Sequence, residues 1–192
     1  MYLVIEKNSD FYKDDYHEEI LGLIDQQMFE FYELFNSGAL VNAKEVLLYS
    51  VGNHAKLSSR YLALDLLPAT QFLVSAKFAS LLREHCRESF ELIPAAIING
   101  EDYYDGYFSV NILNIVDCID FKKSDTYRML PSDPSSKIVI NHAVFKDGGL
   151  EGIDLATAKD GPEFVLASQG FADLCRDRGI TGLDFWPNGS PP

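Results

Sequence analysis

Histidine, cysteine, serine and carboxylate side chains are the groups that can carry chemistry, and their spacing is the first thing to test. The histidines His17, His54, His85 and His142 are scattered. They form no His-x3-His or His-x-His pair, and no Cys-x2-Cys completes a zinc site. Cys118 sits beside Asp117, a neighbour that raises a thiol pKa rather than activating it. No G-x-S-x-G elbow is present, and Ser75 and Ser168 each stand just before a helical pattern, where a hydroxyl caps free amides. The doublets Asp14-Asp15, Glu18-Glu19 and Glu101-Asp102 are adjacent in sequence, so their members point to different faces of a helix or strand. They read as solvated acidic surface. Asp10, Asp14 and Asp15 lack the glycine and closing glutamate of a hand-type calcium loop. Neither G-x-G-x-x-G nor G-x4-G-K-[ST] occurs, and Gly148, Gly149 and Gly152 lie among Asp147, Glu151 and Asp154, which suits turns and not phosphate. The sequence therefore offers no catalytic residue, no metal site and no cofactor motif.

The composition points the same way. A chain of 192 residues with 47% hydrophobic side chains is long and apolar enough for a packed core. Its 29 acids against 16 bases give a net charge of −13 and a pI near 4.6. Such a field repels nucleic acid and anionic membrane and attracts basic proteins. Cys86, Cys118 and Cys175 are widely spaced and odd in number, as expected of buried thiols in a reducing compartment. Met1–Lys7 has no basic region or cleavage site of a signal peptide, and no apolar run approaches bilayer length, so a cytoplasmic location is expected.

The elements expected to position these residues form an α+β fold with a mixed, largely antiparallel sheet and a few packed helices. Met1–Lys7 reads as a first strand. Ile20, Ile24, Met28, Phe31 and Phe35 then fall at helical spacing, and Asn36-Ser37-Gly38 supplies a stop. Strands are expected over 45–51, 60–67, 72–74, 90–98, 107–119, 137–145, 163–167 and 183–186, with helices over 76–87 and 169–178. Asn99-Gly100 is a hairpin signal, and Ser132 to Ser136 a loop. Setting Ser75 on Ser168 brings Phe78 onto Phe171, Ala79 onto Ala172, Leu81 onto Leu174 and Arg83 onto Arg176. Either a strand–Ser–helix–strand pseudo-repeat or the common look of capped helices explains that match. Three portions are expected: 1–67 packed on the rest, 68–187 as the main domain, and a loose tail over 188–192.

Two acidic features stand above this background. Glu6 to Glu33 holds nine acids against Lys7 and Lys13. Glu101, Asp102, Tyr103, Tyr104, Asp105 and Tyr107 cluster beside the hairpin signal, with three acids, three tyrosines and no base. Tyrosine buries a large area at low entropic cost, and acids complement a basic partner, so this cluster is the expected partner-binding site. A polar turn whose tyrosines lean back on the sheet is the bland counterpart.

Residues 68–187 resemble the immunity proteins of bacterial polymorphic toxin systems. The resemblance rests on Val74-Ser75-x2-Phe78-x2-Leu81-Leu82, on Phe90-x3-Pro94 and on Tyr107-x3-Asn111-x-Leu113-x3-Asp117-x2-Asp120-x3-Ser124. It also rests on Ser168-x2-Phe171-x2-Leu174-x3-Gly179-x-Thr181-Gly182-Leu183-x-Phe185. It implies a non-enzymatic protein that protects its producer by binding a cognate toxin. It carries over no catalytic residue. The acidic charge suits a basic, nuclease-type toxin. The alternatives are an interaction protein of the same fold with another protein partner, or an enzyme whose site is assembled from dispersed carboxylates with His54 or His142. The oligomeric state is not written in the sequence.

Overall fold

The computed structural model describes residues 3–7, 21–24, 27–28, 31, 34–35, 37–51, 57–86, 90–146, 148 and 150–187. The elements in chain order are β1 (Leu3–Lys7), β2 (Leu21–Leu23), β3 (Leu47–Val51), α1 (Ser59–Leu62), β4 (Phe72–Ser75), α2 (Ala76–His85), β5 (Phe90–Asn99) and β6 (Asp102–Ile112). β7 (Ile115–Val116), β8 (Asp125–Arg128), β9 (Ile138–His142), β10 (Leu155–Ala158), β11 (Gly161–Ala167), α3 (Gln169–Asp177) and β12 (Leu183–Pro187) follow. The molecule is mostly sheet with few helices. The strands form two five-stranded sheets, ordered β2-β3-β5-β6-β4 and β12-β1-β11-β10-β7, and β8 and β9 make a separate pair. Pairing is antiparallel except for β3 with β5 and β7 with β10.

Each large sheet contains a strand, a capped helix and a second strand, with a third strand inserted between the two. β6 lies between β4 and β5 and is antiparallel to both; β1 lies between β11 and β12 in the same way. Ser75 Oγ accepts the amide of Phe78 at 3.2 Å, and Ser168 Oγ accepts that of Phe171 at 3.0 Å. The capping reading of both serines is therefore correct. Both serines also donate to an upstream carboxylate, Ser75 to Asp65 at 2.7 Å and Ser168 to Asp154 at 2.8 Å. Phe78 and Phe171 stack with ring centroids 6.3 Å apart. Around that pair one core cluster joins both helices to both sheets, through Val74, Leu82, Val110, Ile112, Leu155, Ala167, Cys175 and Leu183. A second cluster, with Leu47, Tyr49, Tyr61, Leu73 and Ile97, covers the other side of the first sheet.

Several expected elements differ. The alternation over 60–67 does not make a strand, for Ser59–Leu62 is a short helix. Tyr61 and Leu64 are both buried at i,i+3, and Leu64 N donates to Tyr61 O, so a turn buries what a strand would have placed on one face. Leu21–Leu23 is a strand paired with β3, not the start of a helix. Helical bonding begins later, where Met28 N donates to Ile24 O. The run 107–119 is broken: β6 ends at Ile112 and β7 belongs to the other sheet. β8 and β10 were not expected. Asp10, Asp14 and Asp15, the tail 188–192, His17, His54 and most of the 6–33 segment lie outside the described residues.

A carboxylate locks the two halves together. Asp65, 6% exposed, accepts from Ser75 Oγ, from Lys77 Nζ at 3.0 Å, and from Thr181 N and Oγ1 at 3.0 and 3.2 Å. The backbones close the same join, with Leu66 N donating to Thr181 O. Burial pushes the Asp65 carboxyl up, but the hydrogen bonds from Ser75, Lys77 and Thr181 and the charge of Lys77 outweigh it and hold the carboxyl below its ordinary value. Gly182 follows with φ +85°, and a Cβ there would lie 2.3 Å from Leu66 O. Asp65→Ala is expected to cost about 2–3 kcal/mol, since it strands buried donors. Because the folded pKa is lowered, the stability Asp65 contributes is present above its unfolded value and is lost as pH falls through the folded one. Urea unfolding across a pH series should show that acid limb in the wild type and a smaller one in Asp65→Asn. Gly182→Ala should destabilise irrespective of pH.

Candidate partner-binding surface

The Glu101–Tyr107 cluster forms the projecting end of the β5–β6 hairpin. Asn99 pairs with Asp102, so the two-residue loop is Gly100-Glu101, one position later than the Asn-Gly signal places it. Gly100 takes the positive φ, 69°, and the Asn99 side chain turns inward instead. There its Oδ1 accepts from Leu57 N at 2.7 Å and its Nδ2 donates to Leu57 O at 3.0 Å. A bulge sets the faces of the next residues. Ile97 pairs with Tyr104 and Ala95 with Tyr107, so Asp105 and Gly106 together oppose Ala96, with Gly106 at φ +83°. In a regular strand the three-residue step from Tyr104 to Tyr107 would send them to opposite faces, and the extra residue of the bulge puts them on one.

The bulge sends both tyrosines to the same core. Tyr104 and Tyr107 are half-buried against the Tyr49 cluster, and Tyr107 Oη donates to Leu62 O at 3.0 Å. Burial, and then the neighbouring Tyr104, pushes the Tyr107 hydroxyl up. Tyr103 goes the other way and is 59% exposed, and Glu101, Asp102 and Asp105 around it are exposed as well. The structure thus brings all six residues to one tip and divides them: three acids and one tyrosine face solvent, and two tyrosines brace the strand from behind.

The remaining chemical groups are placed for structure. Cys86, Cys118 and Cys175 are buried free thiols, pushed up by burial to about 12, 11 and 12. A thiol held that high is protonated near neutrality and is a poor nucleophile. Asp120 and Ser124, from the longest of the resemblance blocks, shape a turn: Ser124 Oγ donates to Asp120 O at 2.8 Å and accepts from Val144 N at 2.9 Å. Asp117 is held low by the hydrogen bond and charge of Lys146, 2.6 Å away, in a pair exposed at the surface. His85 lies at the end of α2 beside Glu84, 3.7 Å distant. Among the described residues no three His, Cys, Asp or Glu side chains gather as a metal set. No described helix is long and apolar enough to cross a membrane.

A family model described as Immunity protein family (Imm11) matches residues 51–190. The chain belongs to that family. Membership points to a toxin-neutralising role, in a family that is generally non-enzymatic. No curated protein matches the chain. The family blocks quoted above fall on the two caps, the stacked phenylalanines and the Thr181–Gly182 join, which are parts of the scaffold.

Sequence reasoning missed one exposed apolar group. Tyr127, Met129 and Leu130 are 53%, 62% and 57% exposed on the β8–β9 hairpin. A signal for it was present, since the loop Ser132–Ser136 stands between two short β-prone runs, Thr126-Tyr127 and Ile138-Val139-Ile140. If Ser75 and Ser168 are caps and nothing more, Ser75→Ala and Ser168→Ala should each lower stability by about 1 kcal/mol. Both variants, checked by thermal melts, should still protect cells. Loss of protection by a folded variant would make that serine a functional residue.

Proposed function

We propose that this protein neutralises a cognate, basic toxin in the cytoplasm of the cell that makes it, by binding alone. Its partner-binding site is the tip formed by Glu101, Asp102, Tyr103, Tyr104, Asp105 and Tyr107. The observation that carries the reading is the family match over 51–190, joined to an exposed tyrosine ringed by three exposed acids on a projecting hairpin. The −13 charge attracts a basic partner over distance, and the tip is where contact forms. Tyr103 acts as the anchor, since it presents its ring to solvent, and Tyr104 and Tyr107 hold the strand that carries it. Residues 68–187 form the immunity domain in this reading, with 1–67 packed on it, and its scaffold is two copies of one strand–Ser–helix–strand unit.

Binding kinetics with the purified product of the adjoining toxin gene, at two salt concentrations, test it. Asp102→Lys with Asp105→Lys should slow association and flatten its salt dependence, because exposed charges act mainly by steering. Tyr103→Ala should chiefly speed dissociation, by ~1–3 kcal/mol for a buried anchor. Tyr104→Ala should instead lower folding stability. Kinetics unchanged in every tip variant would move the interface elsewhere, and a wild type that binds no toxin would end the immunity reading itself.

A further inference from the structure

The β8–β9 hairpin is the one part of the described chain whose charge and exposure run against the rest. Among the described residues β8 and β9 pair with each other and belong to neither large sheet. An isolated two-stranded hairpin is marginally stable in water, so a lasting one needs cover on at least one face. Ile140 and Phe145 tie its base to the core around Cys118 and Leu166. Among the described residues its outer part has no such cover: Tyr127, Met129 and Leu130 are all exposed. The loop at the far end is nevertheless well ordered by side chains. Ser136 Oγ donates to Leu130 O at 3.0 Å and accepts from Leu130 N at 3.2 Å, while Asp133 Oδ1 accepts from Ser135 N at 2.8 Å. Arg128 reaches across to Ser136 O at 3.1 Å. The apolar side chains are therefore presented on a preformed arm, which lowers the entropy cost of docking.

Charge selects the occupant. Residues 121–142 carry Lys122, Lys123, Arg128 and Lys137 against Asp125 and Asp133, a net +2 that leaves −15 for the rest of the −13 chain. A basic arm is repelled by a basic toxin, whereas the acidic body of a second copy attracts it. We propose that the β8–β9 arm is a self-association element: in a two-fold dimer each arm lays Tyr127, Met129 and Leu130 on the acidic body of the other copy. Reciprocal exchange closes at two copies. Mutual repulsion of two acidic bodies is screened beyond ~8 Å at physiological ionic strength, while contacts at the arm persist. The tip takes up the start of β6 and the arm follows β7, which belongs to the other sheet, so the two proposed contacts use different hairpins.

Light scattering and sedimentation of the full chain over a concentration series, at ~0.15 M salt, decide the matter without any toxin. The wild type should be a dimer, and Tyr127→Ser combined with Met129→Ser and Leu130→Ser should be a monomer. Lys122→Glu with Lys137→Glu, a pair of exposed changes that leaves the fold intact, should weaken the dimer at least ~10-fold. The triple serine variant, which leaves the charge unchanged, should not alter the rate of toxin association beyond twofold or so. A wild type that stays monomeric at every concentration overturns the proposal, as does a dimer that survives both sets of changes. If the arm variants lose toxin binding while the wild type is monomeric, the toxin is the occupant and self-association is wrong.

Discussion

Asp65 is nearly buried, carries a charge, and reaches across 116 residues of sequence to Thr181. Removing a carboxylate from water is costly unless its oxygens are fully engaged, and here both are: Oδ1 by the cap serine of α2, Oδ2 by Lys77 and by both donors of Thr181. The price of burying it is met by position as much as by energy. Ser75 must start its helix where Asp65 can receive its hydroxyl, and Gly182 must bring its backbone against Leu66 O, where any Cβ would clash. Once those are set, α2 and α3 are held so that Phe78 meets Phe171, and the core between the sheets follows from that contact. Ser168 and Asp154 repeat the serine–carboxylate bond at the head of α3, but among the described residues no lysine or distant threonine joins that carboxylate. The first join ties the halves of the molecule, and the second ties the head of α3 to the start of β10 in the same sheet.

This explains what the family blocks are for. Val74, Phe78, Leu81 and Leu82 face the shared core, and Ser75 caps the helix that carries them. Asn111, fully buried, donates to Ala39 O at 2.8 Å and to Glu91 Oε2 at 3.1 Å, while Glu91 accepts from the amides of Val41 and Asn42. Tyr107, Asn111, Asp120, Ser124, Thr181 and Gly182 all satisfy or permit backbone contacts at places where strands change partners. A motif built of such residues identifies a scaffold. It carries the immunity role only through the family, and it says little about which toxin is met, because partner choice depends on exposed side chains that the scaffold leaves free to vary.

What could be read from the sequence was what local physics decides. Helix starts at Ser75 and Ser168 were legible, since a cap needs only one hydroxyl and the next three residues, and the structure ends the two helices at His85 and Asp177. The strands at 72–75, 90–99 and 183–187 were legible from apolar β-prone runs. Strand order was not, because β1 inserting between β11 and β12 is a contact over more than 150 positions that leaves no local trace. Residues 60–67 misled because Leu64 to Leu67 are buried in succession, the polar Asp65 among them, so the alternation in residue type does not mark two faces. At the tip, composition correctly gathered six residues, but the bulge at Gly106 decides which tyrosines are exposed, and a bulge is invisible without the partner strand. The arm escaped notice for a related reason: exposure of Tyr127, Met129 and Leu130 is a property of β8 lying outside both sheets, not of their types.

The two projecting hairpins differ in a way that bears on specificity. Both present aromatic or apolar side chains at the end of a preformed turn, so hydrophobic contact alone would let either surface meet either partner. Sign separates them. Glu101, Asp102 and Asp105 stand beside Tyr103 with no base among them, whereas the arm that carries Tyr127, Met129 and Leu130 has four bases against Asp125 and Asp133. Like charges brought together at a desolvating contact cost several kcal/mol, so each hairpin rejects the surface suited to the other. A chain that was uniformly acidic would have no such rejection, and its exposed apolar groups would be open to any surface able to cover them. On the proposed reading, the reversed charge on one arm gives an acidic protein two contact surfaces that do not compete.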